Sequence, residues 1–465
     1  MEEEWGALVK NGTWESEDPG RLTVGRKVIR TKWIFKRKLK EDGSVARYKA
    51  RLVAQGFSQG ESEDFFETSA PVARMSTSRT VFSLAAERDF ELEGMDVDAA
   101  LYGLKQSGRN WNNALDDFLV GIGLERSTTD SCLYFSRDEG GETNLPVPVY
   151  IDDLVIAGHR EKVDEFKHNV SQYFRMKDLG SLSRVLGIEV RRDRPNGAIT
   201  IYIRDVLKRY GFDECRGVPT PVEGKVKISA PESADKPSEP TSLRAVLSDI
   251  GAAVQESSRG RRTRPDIAYA VHQAARRMEY PCQEDFSTCK RIFRYPSTLP
   301  DFGITFGGKS NGHGLEGFID ADWAEDVEDQ KSTTGYVFKL NGGAISWCSR
   351  KQQLVTWSST QTEYTAAGEA GKETVYLRKL LGSIGFGCRG STTLFEDNES
   401  AINLSKGSGA HCRTKHIGVR WHGIREWIRE GLLALKYVQT GDQFADILTE
   451  GLSRVQFQRL RNFLI

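Results

Sequence analysis

The sequence predicts a multidomain protein that combines α+β and α/β units, and three observations lead there. At 465 residues the chain is too long for one ordinary domain. Pro221 to Ser242, rich in Pro, Ser and charge and poor in large apolar groups, reads as a linker between two units. Beyond Leu315, short apolar strand-like runs alternate with helical stretches. Hydrophobic residues make up 38% of the chain, enough to build cores.

The elements follow in order. Lys32-Trp-Ile-Phe-Lys36 alternates as a strand, Glu41 to Ser44 is a turn, and Arg47 to Ala54 is the returning strand. Trp111, Leu115, Phe118 and Ile122 recur at helical spacing, so that helix buries one face. Pro148 to Ala157 holds two apolar runs around an acidic pair, a hairpin pattern. A mostly helical stretch runs from Leu243 to Tyr295, and Pro296 should end or kink it. Leu315 to Asp320 reads as a strand. Thr334 to Trp347 reads as a hairpin turning at Asn341-Gly342-Gly343. Leu354 to Ser358 reads as a third strand, and Thr360 to Ile384 as a helix stopped by Gly385. Strands over Thr392 to Phe395 and Leu433 to Val438, with helices around them, complete the pattern of an RNase H-like α/β domain.

Net charge is zero, yet Arg21 to Arg51 carries twelve Lys or Arg against Glu41 and Asp42. Such a stripe suits a phosphate partner, or a solvated charged face. The seven cysteines form no C-x-x-C pair, which argues against a disulfide framework or zinc ribbon and fits a reducing compartment. His411, Cys412, His416 and His422 do not match a standard zinc spacing. No apolar run approaches a membrane span. Trp33 and Phe35 lie among basic residues, where a ring can stack on bases or serve core packing.

Metal-assisted phosphoryl transfer needs carboxylates converging on one point, where two cations can hold the attacking and leaving oxygens. Two sets qualify. The first is Asp96 with Asp152 and Asp153, the pair set at a hairpin tip. The second is Asp320, Glu363, Asp397 and Asp446. Each also has a plain structural reading. The acidic pair is a solvated turn. Asp320 ends a strand, and Asp446 is an exposed helix residue. Glu363 closes a capping box opened by Thr360, and Asp397 is the N-cap before Ser400. Four acids at the ends of successive core elements weigh more together than singly.

These residues sit in segments that together resemble the copia-type LTR retrotransposon Pol polyprotein, in its reverse transcriptase and RNase H region. The segments include Arg47-Tyr-Lys-Ala-Arg51, Met95-Asp-Val97, Leu101-Tyr-Gly-Leu-Lys-Gln106 and Tyr150-Ile-Asp-Asp153. Thr263-Arg-Pro-Asp266, Asp320-Ala-Asp-Trp323, Glu396-Asp-Asn398 and Ala445-Asp-Ile-Leu-Thr449 continue the series in the family's order. The resemblance implies reverse transcriptase fingers and palm over residues 1–215, a linker over 216–242, a helical connection over 243–310 and an RNase H-like domain over 311–465. It implies that Asp96, Asp152 and Asp153 bind the polymerase metal, with Lys49 and Arg51 near the incoming triphosphate. It implies that Asp320, Glu363, Asp397 and Asp446 are the RNase H acids. Mg²⁺ or Mn²⁺ is the implied cofactor. RNA template, DNA primer, RNA/DNA hybrid and dNTPs are the implied partners, with no membrane. A cytoplasmic particle or the nucleus is the implied place of work.

The chain also departs from the family. Asp96-Val-Asp-Ala-Ala100 runs straight into Leu101-Tyr-Gly, where the family has a few tens of intervening residues. The expected palm is therefore truncated, with the loss between Ala100 and Leu101. The resulting expectation is an RNA-directed DNA polymerase with RNase H activity whose polymerase half is impaired. The alternative is a catalytically dead relic that only binds nucleic acid.

Overall fold

The computed structural model describes residues 1–10, 17–18, 28–39, 45–97, 102–202, 211–212, 214–224, 263–276, 283–299, 302–308, 314–323, 329–407 and 423–465. The turn at Glu41 to Ser44, the Ala100–Leu101 junction, most of the linker, Leu243 to residue 262, and His411, Cys412, His416 and His422 lie outside them. The described chain is mixed α/β and falls into two compact units, each discontinuous in sequence.

The first unit is Met1–Arg74 with Glu91–Leu182. After helix α1 (Glu2–Lys10), strands β1 (Thr31–Leu39) and β2 (Val45–Ala54) pair antiparallel, Trp33 against Leu52 and Lys36 against Lys49. Phe35 and Tyr48 stay exposed on this hairpin. The second sheet of the unit has six strands, in the order β4 (Glu125–Arg126), β5 (Leu133–Arg137), β6 (Thr143–Tyr150), β7 (Asp153–Gly158), β3 (Glu91–Val97) and β8 (Met176–Ser181). Strand β6 contains Pro146 and Pro148, which lack an N–H for the ladder. It tolerates them because only Val149 and Tyr150 pair with β7, so no β7 ladder bond is required of either proline nitrogen. Helices α3 (Ser107–Gly121) and α4 (Arg160–Tyr173) supply Leu115, Leu119, Val163 and Phe166 to the core over Met95 and Ile156. Trp111, Phe118 and Ile122 pack at its margin, which is the apolar face read from their spacing. Buried Glu93 on β3 anchors α4 through Arg160 and Lys167. Burial alone would raise its pKa, but those two cations hold it below the ordinary value.

The second unit is Met75–Phe90 with Ser183–Ile465. Helix α2 (Met75–Glu87) is buried along nearly its whole length despite the run Ser76-Thr-Ser-Arg-Thr80. Its polar groups are satisfied inside: Arg79 donates to the Ile345 carbonyl at 2.6 Å and lies 3.8 Å over the Trp347 ring, and Thr77 meets the Tyr376 hydroxyl at 3.1 Å. Four antiparallel strands form one sheet in the order β12 (Ile304–Gly307), β11 (Ala198–Tyr202), β10 (Ile188–Asp193), β9 (Arg184–Val185). Arg264 and Asp266 form a buried bidentate ion pair at 2.9 and 2.8 Å, and the Tyr295 hydroxyl closes it at 2.7 Å. Helices α5 (Ala268–Arg276) and α6 (Gln283–Arg294) follow, and Pro296 opens a 3₁₀ turn rather than extending α6.

The remaining five-stranded sheet has the order β15 (Gly343–Lys351), β14 (Thr333–Leu340), β13 (Glu316–Ala321), β16 (Thr392–Glu396), β17 (Leu433–Tyr437). The first three strands are antiparallel neighbours; β16 and β17 add in parallel. Asn341 and Gly342, both at positive φ (49° and 86°), make the β14–β15 turn. Helix α7 (Ser359–Ser383) connects β15 to β16, α8 (Glu399–Ser405) and α9 (Gly423–Arg429) precede β17, and α10 (Arg454–Leu464) ends the chain.

Three local expectations are corrected. Leu354 to Ser358 is not a strand but the loop entering α7, and the third antiparallel strand is β15. Ser358, not Thr360, is the N-cap: its hydroxyl accepts from Gln361 N, while the Gln361 side chain accepts from Trp357 N at 3.0 Å. Glu363 is therefore a turn inside the helix and not a capping group. The N-cap of α8 is Asn398, which accepts from Ala401 N, so Asp397 is not held by capping.

Candidate functional site

The second unit gathers its acids tightly. Asp320 stands next to last on β13, Glu363 one turn into α7, Asp397 just past β16, and Asp446 at the start of a 3₁₀ turn after β17. Ligand oxygens of Asp320, Glu363 and Asp397 all lie within 4.8 Å of one another, the one such group of three among the described residues. Parallel pairing of β13 with β16 sets two chain ends side by side, and α7 packs against β13. Gly335 faces Asp320 across the β13–β14 ladder. A side chain there would meet Thr449 Cγ2 at 2.6 Å and the Ala445 carbonyl at 3.1 Å, so glycine lets the Asp446 segment close in. The Thr449 hydroxyl then donates to Asp320, and Thr440 donates to Asp397 at 2.8 Å.

The electrostatics of this cluster are repulsive. Burial, and then the neighbouring charges of Asp397 and Glu450, push Asp320 up to about 7 against a bond from Thr449. Asp446 is pushed up to about 9 by burial and then by Asp320 and Asp397. Glu363 lies well above the carboxylate range, through burial and then Glu396 and Asp320. Its Oε2 is buried without a hydrogen-bond partner. Carboxylates this close, with a free buried oxygen among them, fit a divalent cation bound by hard oxygen ligands.

Glu396, Thr449, Thr440 and Glu450 were not singled out from sequence. Glu396 is the last residue of β16 and fully buried. Its signal was available: a charge ending an otherwise uncharged strand, beside Asp397.

The first unit arranges its acids differently. Asp96 on β3 is the register partner of Asp153, the first residue of β7. Ile151, at φ 57°, makes the tight turn before Asp152, a strained geometry for a β-branched residue. The three acids are half-buried, and they do not form a group of mutual ligand spacing among the described residues. Burial, and then the charges of Asp96 and Asp152, push Asp153 up to about 6. Asp152 is raised by burial and Asp96, while Arg51, the Tyr102 hydroxyl and Lys49 pull it down. The charges of Lys49 and Arg51 therefore reach Asp152. Tyr102 was missed: its ring lies 4.3 Å beneath the Arg51 guanidinium, and its carbonyl accepts from Ala54 N at 2.8 Å. A separate cavity of about 950 Å³ is lined by Phe35, Lys36, Arg37, Arg47, Tyr48, Lys49 and Arg175 among others, joining exposed aromatic rings to cations.

Comparison with known proteins supplies the class first. The family profile described as "Reverse transcriptase (RNA-dependent DNA polymerase)" matches residues 20–101 and 97–224. The Pol polyprotein from transposon TNT 1-94 of Nicotiana tabacum is 35% identical over 98% of this chain and 37% of its own length. That from transposon RE1 of Arabidopsis thaliana is 34% identical over 98% and 33%. The chain belongs to the copia-type, retrovirus-related Pol polyproteins of transposons, and it spans about a third of the length of these relatives. Among solved structures, the N-terminal RNase H domain of Rv2228c from Mycobacterium tuberculosis matches at 10% identity, covering 32% of this chain and 96% of its own, with a TM-score of 0.23. No helix among the described residues is long and apolar enough to cross a membrane.

Proposed function

We propose that the second unit is a ribonuclease H that cuts the RNA strand of an RNA/DNA hybrid, and that the first unit is an RNA-directed DNA polymerase impaired by the Ala100–Leu101 junction. The observation that carries the first half is the Asp320, Glu363 and Asp397 cluster, gathered at metal-ligand spacing. These three acids, with Asp446, would hold Mg²⁺ or Mn²⁺. When bound, such ions lower the pKa of a water and neutralise charge on a phosphodiester. Thr449 and Thr440 hold two of the carboxylates in place. Recognition of the hybrid would rest on shape, phosphates and the 2′-hydroxyl rather than on base sequence.

Two observations support impairment of the other half. The family profile matches in two overlapping pieces, residues 20–101 and 97–224, and this break falls where the sequence reads as lacking the family's intervening segment. The candidate polymerase acids Asp96, Asp152 and Asp153 are also not gathered as the second set is. In this reading Lys49 and Arg51 face the triphosphate of a dNTP, and the basic hairpin with Phe35 and Tyr48 contacts template and primer. The domain limits 1–215, 216–242, 243–310 and 311–465 are proposed with it, as is work in a cytoplasmic particle or the nucleus.

One reaction tests both halves: labelled DNA primer on labelled RNA, with Mg²⁺ and dNTPs. RNA cutting without primer extension is the expected result. Extension would overturn the impairment. Neither activity, with salt-sensitive binding retained, would favour a relic that only binds nucleic acid.

A further inference from the structure

Every acid assigned so far was read from the sequence as a site candidate. Glu396 was not, and its surroundings are unusual. It closes β16, the strand between β13 and β17, with none of its surface exposed. One carboxylate oxygen, Oε1, accepts from Asn398 N at 3.1 Å. The other, Oε2, is buried with no partner, as is Oε2 of Glu363. Buried polar atoms in folded proteins are almost always paired, so two free oxygens on neighbouring carboxylates call for a cause. Asp320 and Asp397 are the charges acting on Glu396, and Glu396 is the foremost charge acting on Glu363. Among the described residues, the leading groups that act on either include no cation. A metal ion would satisfy both oxygens and remove the repulsion together.

We propose that Glu396 is a further ligand of the divalent-cation site, giving its free oxygen Oε2 to an ion shared with Glu363 beside Asp320 and Asp397. This rests on the reading of that cluster as a metal site. An added carboxylate raises the ligand charge, which is one of the means by which proteins tighten cation binding. The chain should therefore hold Mn²⁺ more tightly than the other acids alone would.

The test is Mn²⁺ binding to the full chain without nucleic acid, by titration calorimetry and by the Mn²⁺ electron paramagnetic resonance spectrum. The variants are Glu396→Gln, which keeps shape and the bond from Asn398 N, Glu396→Asp, which keeps charge but withdraws the oxygen, and Asp320→Asn as the control. Loss of affinity by about tenfold or more in both Glu396 variants, with an altered resonance spectrum, is expected. If Asp320→Asn weakens Mn²⁺ binding while both Glu396 variants bind as the parent does, Glu396 is not a ligand and the site stands without it. If Asp320→Asn leaves Mn²⁺ binding unchanged, the metal-site reading itself fails and this inference falls with it.

Discussion

The two acid clusters solve the same electrostatic problem in opposite ways. In the first unit Asp152 has the chain's own partners: Arg51, the Tyr102 hydroxyl and Lys49 offset burial and Asp96. In the second unit the charges acting most strongly on Asp320, Glu363 and Asp446 are those of other acids. Only small groups such as Thr449 lean against the repulsion. Asp153 has no such partner, so the offset is confined to Asp152; a cluster partly neutralised from within needs a cation less than one that is not. The difference teaches that proximity of carboxylates is not by itself a metal site; what matters is whether the chain has left the charge for an ion to balance.

The comparison breaks most sharply at Asp320. Asp320→Asn is expected to lower RNA cutting about 10³-fold, since it removes several kcal/mol of metal-borne charge stabilisation. Asp152→Asn should leave cutting unchanged, and a gel assay on one labelled hybrid reads both. Equal losses from the two variants would mean that the clusters do not act separately.

Next in size is Thr449. Thr449→Val leaves the Asp320 carboxylate without its hydroxyl donor. Cutting should fall about 10- to 100-fold, the usual effect of removing a group that orients a metal ligand, and Thr449→Ser should restore most of it. A valine variant as active as the parent would show that the cation alone orients Asp320.

Gly335→Ala sharpens the geometric side of the contrast. The new methyl group meets Thr449, Leu448 and the Ala445 carbonyl. Overpacking should cost about 1–3 kcal/mol, seen as a lower urea midpoint for the second unit. An unchanged midpoint would mean that the 445–449 segment moves aside freely.

The smallest expected effect is on pH dependence. Asp320 and Asp446 have folded-state values raised to about 7 and about 9, above the ordinary carboxylate value. Such groups add stability below the unfolded value and lose it as pH rises through the folded one. In chelator, thermal stability of the second unit should therefore decline from about pH 4 towards pH 9. Added Mg²⁺ should protect more at pH 8 than at pH 5. Protection that does not grow with pH would argue against a charge-balancing ion.

Much of this molecule is legible in its sequence. The alternation in the last third, the Asn341-Gly342 turn and the β6–β7 hairpin follow from local chemistry that any window of sequence carries. So do the family segments and the acids within them. Local rules misplaced the α7 cap, because Thr360 and Ser358 both have suitable hydroxyls, and only the backbone position of Gln361 decides between them. They also misread Leu354 to Ser358, an apolar run with no neighbouring strand to pair with. Helix α2 was invisible for a related reason: Ser76 to Thr80 looks solvent-exposed until Ile345, Trp347 and Tyr376 supply its partners. Sequence by itself determined the family, many of the elements and the acids to watch. Tertiary structure alone decided which acids meet, that Glu396 is buried among them, and that Tyr102 joins Arg51 at the other cluster. Those outcomes depend on parallel and long-range pairings between residues tens to hundreds of positions apart, and hydrophobic periodicity carries no information about which distant strand becomes a neighbour.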